Sequence, residues 1–215
     1  MVTIIKGRSK QPAVRRDQLL DSAERLFAER GYAETTVMDI AEAAGVAKGT
    51  FYLYFPSKEH CVVALKARLA QGLVDKLTGA ITTLFNQAGK ITRNIEQITR
   101  MLIDESFEYA LAHADTFNNL FHRGDTIEID QASLVAEQAI TETLTGAITK
   151  LNEVGLAKVS YPAQTARILF NGIHWALDQA VCREGTRDLG ELREAAVEVA
   201  TRALGVPNDS TVNID

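Results

Sequence analysis

Residues 36–58 read TVMDIAEAAGVAKGTFYLYFPSK, two short helical patterns hinged on a glycine. Thr36, with Asp39 three positions on, has the spacing of a capping box, in which the hydroxyl receives an early backbone N–H and the acid reaches back to the cap. Val37, Ile40, Ala41 and Ala44 then form a narrow apolar face, and Gly45 ends the helix after roughly two turns. Val46 is placed to dock beneath that turn. The second pattern, Ala47 to Phe55, sorts at about 100° per residue into two sides. Phe51 and Phe55 fall with Thr50 and Tyr54 on the side that anchors the helix, while Lys48, Gly49, Tyr52 and Leu53 fall on the side that faces away. Pro56 and Ser57 stop this helix and start another at Lys58, whose first-turn N–H groups can receive a phosphate. Two helices crossing steeply over a short glycine turn are the parts of a helix-turn-helix.

Working outward, every periodic stretch is helical. Leu19, Leu20, Ala23, Leu26 and Phe27 give a buried face from about Ala13 to Arg30, closed by Gly31. Val62, Leu65, Leu69, Leu73, Leu77, Ile81 and Leu84 continue from Lys58 as one long helix, broken by Gly89. Further helices are expected through Ile95, Ile98, Leu102 and Tyr109, from about Asp130 to Glu153, from Pro162 to about Glu184, and from Leu189 to Leu204, with an irregular segment at 114–129. The expected fold is all-α. Its expected division is a basic flexible arm at 1–12, a helix-turn-helix domain at 13–57, a helical effector-binding and dimerisation domain at 58–206, and a loose tail at 207–215. The small residues of the last helix, with Leu192, Ala196, Val199 and Ala203 on one face, make the final two helices candidates for a four-helix contact with a second copy.

The net charge of −5 hides an asymmetry. Residues 1–60 hold nine Lys or Arg against eight Asp or Glu, and Lys6, Arg8, Lys10, Arg15 and Arg16 all precede the first acidic residue. An acidic body with a basic front is compatible with DNA binding through one end. No apolar run approaches the ~20 residues of a membrane span, and no export signal is visible, so a cytoplasmic location is expected. Cys61 and Cys182 are far apart and lack a CxxC partner, which favours buried small apolar residues over zinc ligands or a disulfide framework.

The run AERLFAERGYAETTVMDIAEAAGVAKGTFYLYFPSKEHCVVAL, residues 23–65, resembles the TetR-type (tetracycline-repressor-like) transcriptional regulators. The resemblance rests on Gly31-Tyr32, Thr36, Ile40-Ala41, Ala44-Gly45-Val46, Lys48-Gly49, Tyr52, Tyr54-Phe55 and Ser57-Lys58. It implies a homodimer whose first three helices bind a roughly palindromic DNA operator and whose later helices hold a small-molecule effector. By position it implies that Thr36 contacts phosphate, that Lys48, Gly49 and Tyr52 lie against the major groove, that Thr50 and Tyr54 turn toward phosphates, and that Lys58 holds the backbone. Leu53 departs from the polar or aromatic residue frequent at its position.

Aromatic walls and polar handles for an effector are sought at Phe107, Phe121, His122, Trp175 and Asp178. The sequence offers little to catalysis. His60, His113, His122 and His174 fall in no metal-ligand spacing, and neither a phosphate loop nor a GxSxG elbow is present. No catalytic residue, metal or other cofactor is expected. The function expected is a sequence-specific repressor released from its operator by a small molecule.

Overall fold

The computed structural model describes residues 12–86, 94–116, 127–186 and 188–205. Residues 1–11 of the expected arm, the C-terminal tail beyond residue 205, Gly89, Phe121 and His122 lie outside the described residues, as does the side chain of Cys182, while Pro12, expected to close the arm, opens the first helix. The described chain is built from α1 (Pro12–Arg30), α2 (Val37–Ala43), α3 (Lys48–Tyr54), α4 (Lys58–Asn86), α5 (Ile95–Ala112), α6 (Ile127–Glu153), α7 (Pro162–Asp178) and α8 (Gly190–Ala203). Helix α7 runs on into a widened turn over Gln179–Arg183, in which Glu184 N donates to Gln179 O at 3.0 Å.

Three apolar clusters hold these helices together. The first gathers Leu19, Leu20, Ala23, Leu26 and Phe27 of α1 with Ile40 and Ala41 of α2, Phe51 of α3 and the adjoining Phe55. It also takes in Cys61, Val62, Leu65 and Leu69 of α4, so the core under the helix-turn-helix extends well past residue 57. The second joins Leu84, Ile95 and Ile98 to Ile148, Leu151, Ala166 and Leu204. The third joins Ile103 and Phe107 to Leu177, Val181, Ala196, Val197 and Ala200. Helix α4 packs against α1, α5 and α6, α7 against α6, and α8 against α5 and α7.

The turn between α2 and α3 shows why glycine stands at 45. Its φ is +67°, a conformation a side chain makes costly. Gly45 N donates to Glu42 O and Val46 N to Ala41 O, both at 2.9 Å, which satisfies two end carbonyls of α2 in a Schellman arrangement. The capping box at the other end of α2 is complete: Asp39 N donates to Thr36 Oγ1 at 3.2 Å and Thr36 N to Asp39 Oδ2 at 2.8 Å.

On α8 the expected contact face divides. Ala196 is buried and Leu192 packs half-buried in the third cluster, so both complete this chain's own core. Val199 and Ala203 remain exposed, next to Ala195 one turn earlier. Helix α7 likewise turns Ile168 and Trp175 outward with exposed Gly172 between them.

Candidate functional site

Two sites emerge from this frame, a presented face on α3 and an internal cavity behind it, with α4 common to both.

Helix α3 is pinned by Phe51, fully buried, whose ring meets Phe55 at 5.5 Å between centroids. With that side fixed, the opposite side must face solvent. Lys48 and Gly49 are exposed, Tyr52 is 47% exposed and Leu53 82% exposed. Thr50 and Tyr54 sit at the flanks, partly covered, and Tyr54 leans on the first cluster. A Cβ built on Gly49 meets nothing within 4 Å, so packing inside this chain does not require glycine there. Thr36 is exposed at the start of α2, but its hydroxyl is engaged: Oγ1 donates to Asp39 Oδ2 at 2.6 Å while accepting from Asp39 N.

Lys58 occupies a different place from the one its sequence position suggests. Nζ donates to Tyr32 O at 2.8 Å and to Thr35 O at 2.9 Å, and lies 4.0 Å from the centroid of the Tyr32 ring. Two of its three N–H donors are therefore spent on the α1–α2 connection, leaving one for a phosphate. Burial lowers its pKa. Beside it, Tyr32 Oη donates to Glu59 Oε1 at 2.7 Å. That bond is the foremost reason the Glu59 carboxyl drops to about 2, while burial and the same carboxylate push the Tyr32 phenol up. The start of α4 is thus locked to the loop that positions α2.

A second joint ties α1 to the body. Arg68 of α4 donates from Nη1 to Asp21 Oδ1 at 2.6 Å and from Nη2 to Glu24 Oε2 at 2.5 Å. His113, at the end of α5, lies 2.8 Å through Nδ1 from Glu24 Oε1. The His113 bond and then Arg68 hold the Glu24 carboxyl below its ordinary range despite burial. Tyr109 Oη donates to Leu69 O at 2.7 Å, passing over Gly72, where a Cβ would collide with the phenol oxygen. Cys61 is buried, and burial raises its thiol to about 12, which leaves little thiolate for redox chemistry.

Behind these joints lies a cavity of about 580 Å³ between α4, α5, α6 and α7. That volume is within the range of small-molecule sites. Its walls are mainly aliphatic, among them Leu73, Leu77, Ile98, Leu144, Ile148 and Leu151. Of the residues sought by sequence, Asp178 lines it. Phe107 does not: it is fully buried in the third cluster, turned toward α7 and α8, with Arg193 stacked 5.6 Å from its ring. Trp175 does not either, being 65% exposed on the outer side of α7. Polar groups missed by sequence reasoning do line it: Lys66, Ser133, Glu137, Asn171 and His174. Lys66 carried a readable signal, a lysine standing in the apolar stripe of Val62, Leu65, Leu69 and Leu73. Among the described residues, no three His, Cys, Asp or Glu side chains are placed to hold a metal ion, and no helix is long and apolar enough to cross a membrane.

The described residues thus form helices throughout, with the second helix of a helix-turn-helix presented to solvent and a cavity on the continuation of that domain's core. Residues 19–65 match the model of bacterial regulatory proteins, tetR family. It is 39% identical over 103 residues to the HTH-type transcriptional repressor KstR2 of Mycolicibacterium smegmatis, a match covering 48% of this chain and 46% of that protein. The chain thus spans about half the length of that relative. It is 27% identical over 204 residues to the fatty acid metabolism regulator protein of Bacillus subtilis, covering 91% of this chain and 98% of that one. Among solved structures, the transcriptional regulator FadR of Bacillus subtilis in complex with stearoyl-CoA shares the fold, with a TM-score of 0.70 and 23% identity over 87% of this chain and 98% of that chain.

Proposed function

We propose that this protein is a dimeric transcriptional regulator, a repressor that binds a roughly palindromic DNA operator and leaves it when a small molecule fills the cavity. The observation that carries the DNA reading is the composition of the face that α3 presents. Lys48, Gly49, Tyr52 and Leu53 are all turned to solvent by the burial of Phe51. A glycine that nothing inside the chain requires is accounted for by close approach from outside, and a major groove is what a helix of this width enters. On this reading Lys48 and Tyr52 meet base edges, Leu53 a thymine methyl, and Thr36, Thr50 and Tyr54 the flanking phosphates. Lys58 acts chiefly by holding α4 to the α1–α2 loop, with its remaining donor available to the backbone.

The exposed apolar residues of α7 and α8, Ile168, Trp175 and Val199, support a helical interface with a second copy. Two-fold symmetry then sets half-sites about one DNA turn, roughly 34 Å, or a multiple apart. Helix α4 starts at the DNA-binding domain and walls the cavity a few turns later, so an occupant that shifts its far part tilts its beginning. Release follows if the effector favours the spacing of reading heads that misfits the grooves. The aliphatic walls, together with the stearoyl-CoA-bound regulator that shares this fold, support an effector carrying a long apolar portion. Nothing in this mechanism asks for a catalytic group.

Selection of bound fragments from genomic DNA, followed by gel shift at low and moderate salt, tests the reading. A symmetric site whose binding fails for Tyr52→Ala is expected. Binding that is equal for the selected site and for random DNA would sink sequence-specific reading.

A further inference from the structure

The charged groups of the cavity and His174 gather at one end, whereas the hydroxyls of Thr99, Ser106 and Tyr109, which also line it, donate to Ile95 O, Leu102 O and Leu69 O. Lys66 lies two turns into α4, between Leu65 and Leu69 of the first cluster, and its Nζ donates to Ser133 Oγ of α6 at 3.1 Å. Glu137 is one turn further along α6, and its Oε1 accepts from Asn171 Nδ2 of α7 at 2.8 Å. His174 and Asp178 follow on α7, which runs antiparallel to α6, as the pairings of Glu137 with Asn171 and of Leu151 with Ala166 require. These two therefore sit at the level of Ser133. The opposite end is closed by Ile98, Leu102, Leu144, Ile148, Leu151 and Leu204 without a charged group among them. The charged groups of the cavity lie toward the DNA-binding domain, and the far end carries none.

The charges of the polar end oppose each other. Lys66 brings one positive charge and Glu137 and Asp178 two negative ones, while Arg167, 3.9 Å from Glu137, stands exposed outside. The His174 ring lines the cavity as an exposed side chain and stacks on Phe170 at 5.3 Å and 9°. Desolvation by the surrounding groups is the leading effect and lowers its pKa against the opposing pull of Asp178 and Glu137, which favours the neutral ring, with one nitrogen donating and the other accepting.

A carboxylate placed here meets Glu137 and Asp178, and an ammonium meets Lys66. A group that both gives and accepts hydrogen bonds without charge meets a partner for each function. We infer that the effector enters with its apolar body toward α5 and the end of α6 and with an uncharged hydroxyl group at the end bounded by Lys66, Ser133, Glu137 and His174. This deepens the proposed function and rests on its assignment of the cavity as the effector site. Such a group bridges α4, which carries the DNA-binding domain, to α6 and α7. Head-group chemistry, rather than chain burial alone, then sets the tilt of α4.

The test is direct binding to the full chain by calorimetry, with three probes that share one twelve-carbon chain: dodecan-1-ol, dodecanoate and dodecylamine, all below their micelle concentrations. The alcohol is expected to bind at least tenfold tighter than either charged probe. His174→Leu and Glu137→Leu, checked by melting curves to remain folded, are expected to reduce that preference to threefold or less. A charged probe that matches or beats the alcohol overturns the inference, as does an unchanged preference in both variants or failure of all three probes to bind. Operator binding is measured in parallel without any probe. Its absence condemns the DNA reading by itself, while a wrong order of probe affinities with operator binding intact condemns only the inference.

Discussion

Replacing Lys58 by alanine separates two roles that sequence position alone confounds. In the structure the ammonium makes two hydrogen bonds to carbonyls, at 2.8 and 2.9 Å, and a contact 4.0 Å from the Tyr32 centroid. Charge-assisted bonds contribute about 1.5 kcal/mol each at the low end and a cation–π contact about 1 kcal/mol. The gross sum is about 4 kcal/mol. Against it stands the cost of partly desolvating the ammonium, which is the effect that depresses its pKa. Water also reaches the released carbonyls in the variant. The net loss expected for Lys58→Ala is therefore about 2 kcal/mol, or a drop in Tm of about 4–8 °C for a chain of this size. Urea unfolding measures the first quantity, and DNA titration at several salt concentrations measures the second role. A pure phosphate contact leaves stability unchanged and lowers the salt slope by about one unit. Stability within about 0.5 kcal/mol of the parent, combined with that full loss of slope, would refute the clamp.

Gly49→Ala is expected to leave stability unchanged or raise it by up to about 1 kcal/mol, since the helix gains a better former and the new Cβ meets nothing. Operator affinity should fall at the same time, and a gel shift showing parental affinity would remove the close-approach role. The Tyr32–Glu59 pair gives a pH signature. The folded Glu59 carboxyl lies at about 2, below its ordinary value of 4.5, so its contribution is complete above about pH 4.5 and is lost as pH falls toward 2. Solvent screening around Glu59 reduces that contribution to about 1 kcal/mol. Tyr32→Phe should flatten stability across this acid window, measured by urea midpoints at pH 2.5, 3.5 and 5.5, and an acid limb as steep as the parent's would show that the bond does not set the shift.

The helix-turn-helix was legible because its determinants are local. The Thr36–Asp39 box, Gly45, and the two sides of α3 are each fixed within a few residues, and the structure places Phe51 inward and Tyr52 outward as a helical period requires. The start of α6 at Ile127, three residues before the expected Asp130, is an ordinary end effect. The cavity was less legible because its walls come from four helices distant in sequence. Looking for aromatic side chains led to Phe107 and Trp175, one sunk in a different cluster and the other facing outward. Periodicity assigns a residue to the apolar stripe of its helix, but it does not say which of several interior spaces that stripe meets. Lys66 is the instructive exception, since a lysine between Val62 and Leu69 signals an interior charge from sequence alone. Lys58 shows the converse difficulty: its partners Tyr32 and Thr35 are more than twenty positions away, and only the folded chain brings them together.

The extension of the first apolar cluster along α4 as far as Leu69 bears on how this protein can be recombined. A chimera spliced at the loop before Lys58 would take Cys61, Val62, Leu65 and Leu69 away from the reading head and leave its floor open. Arg68 would be lost with them, and with it the partner of Asp21 and Glu24. A transplant that keeps the donor's specificity should be joined inside the helix, after Gly72. The graft is then one continuous rod, and its rotational phase, 100° for every residue inserted or removed, becomes the variable that an engineer can turn to re-aim one half against the other.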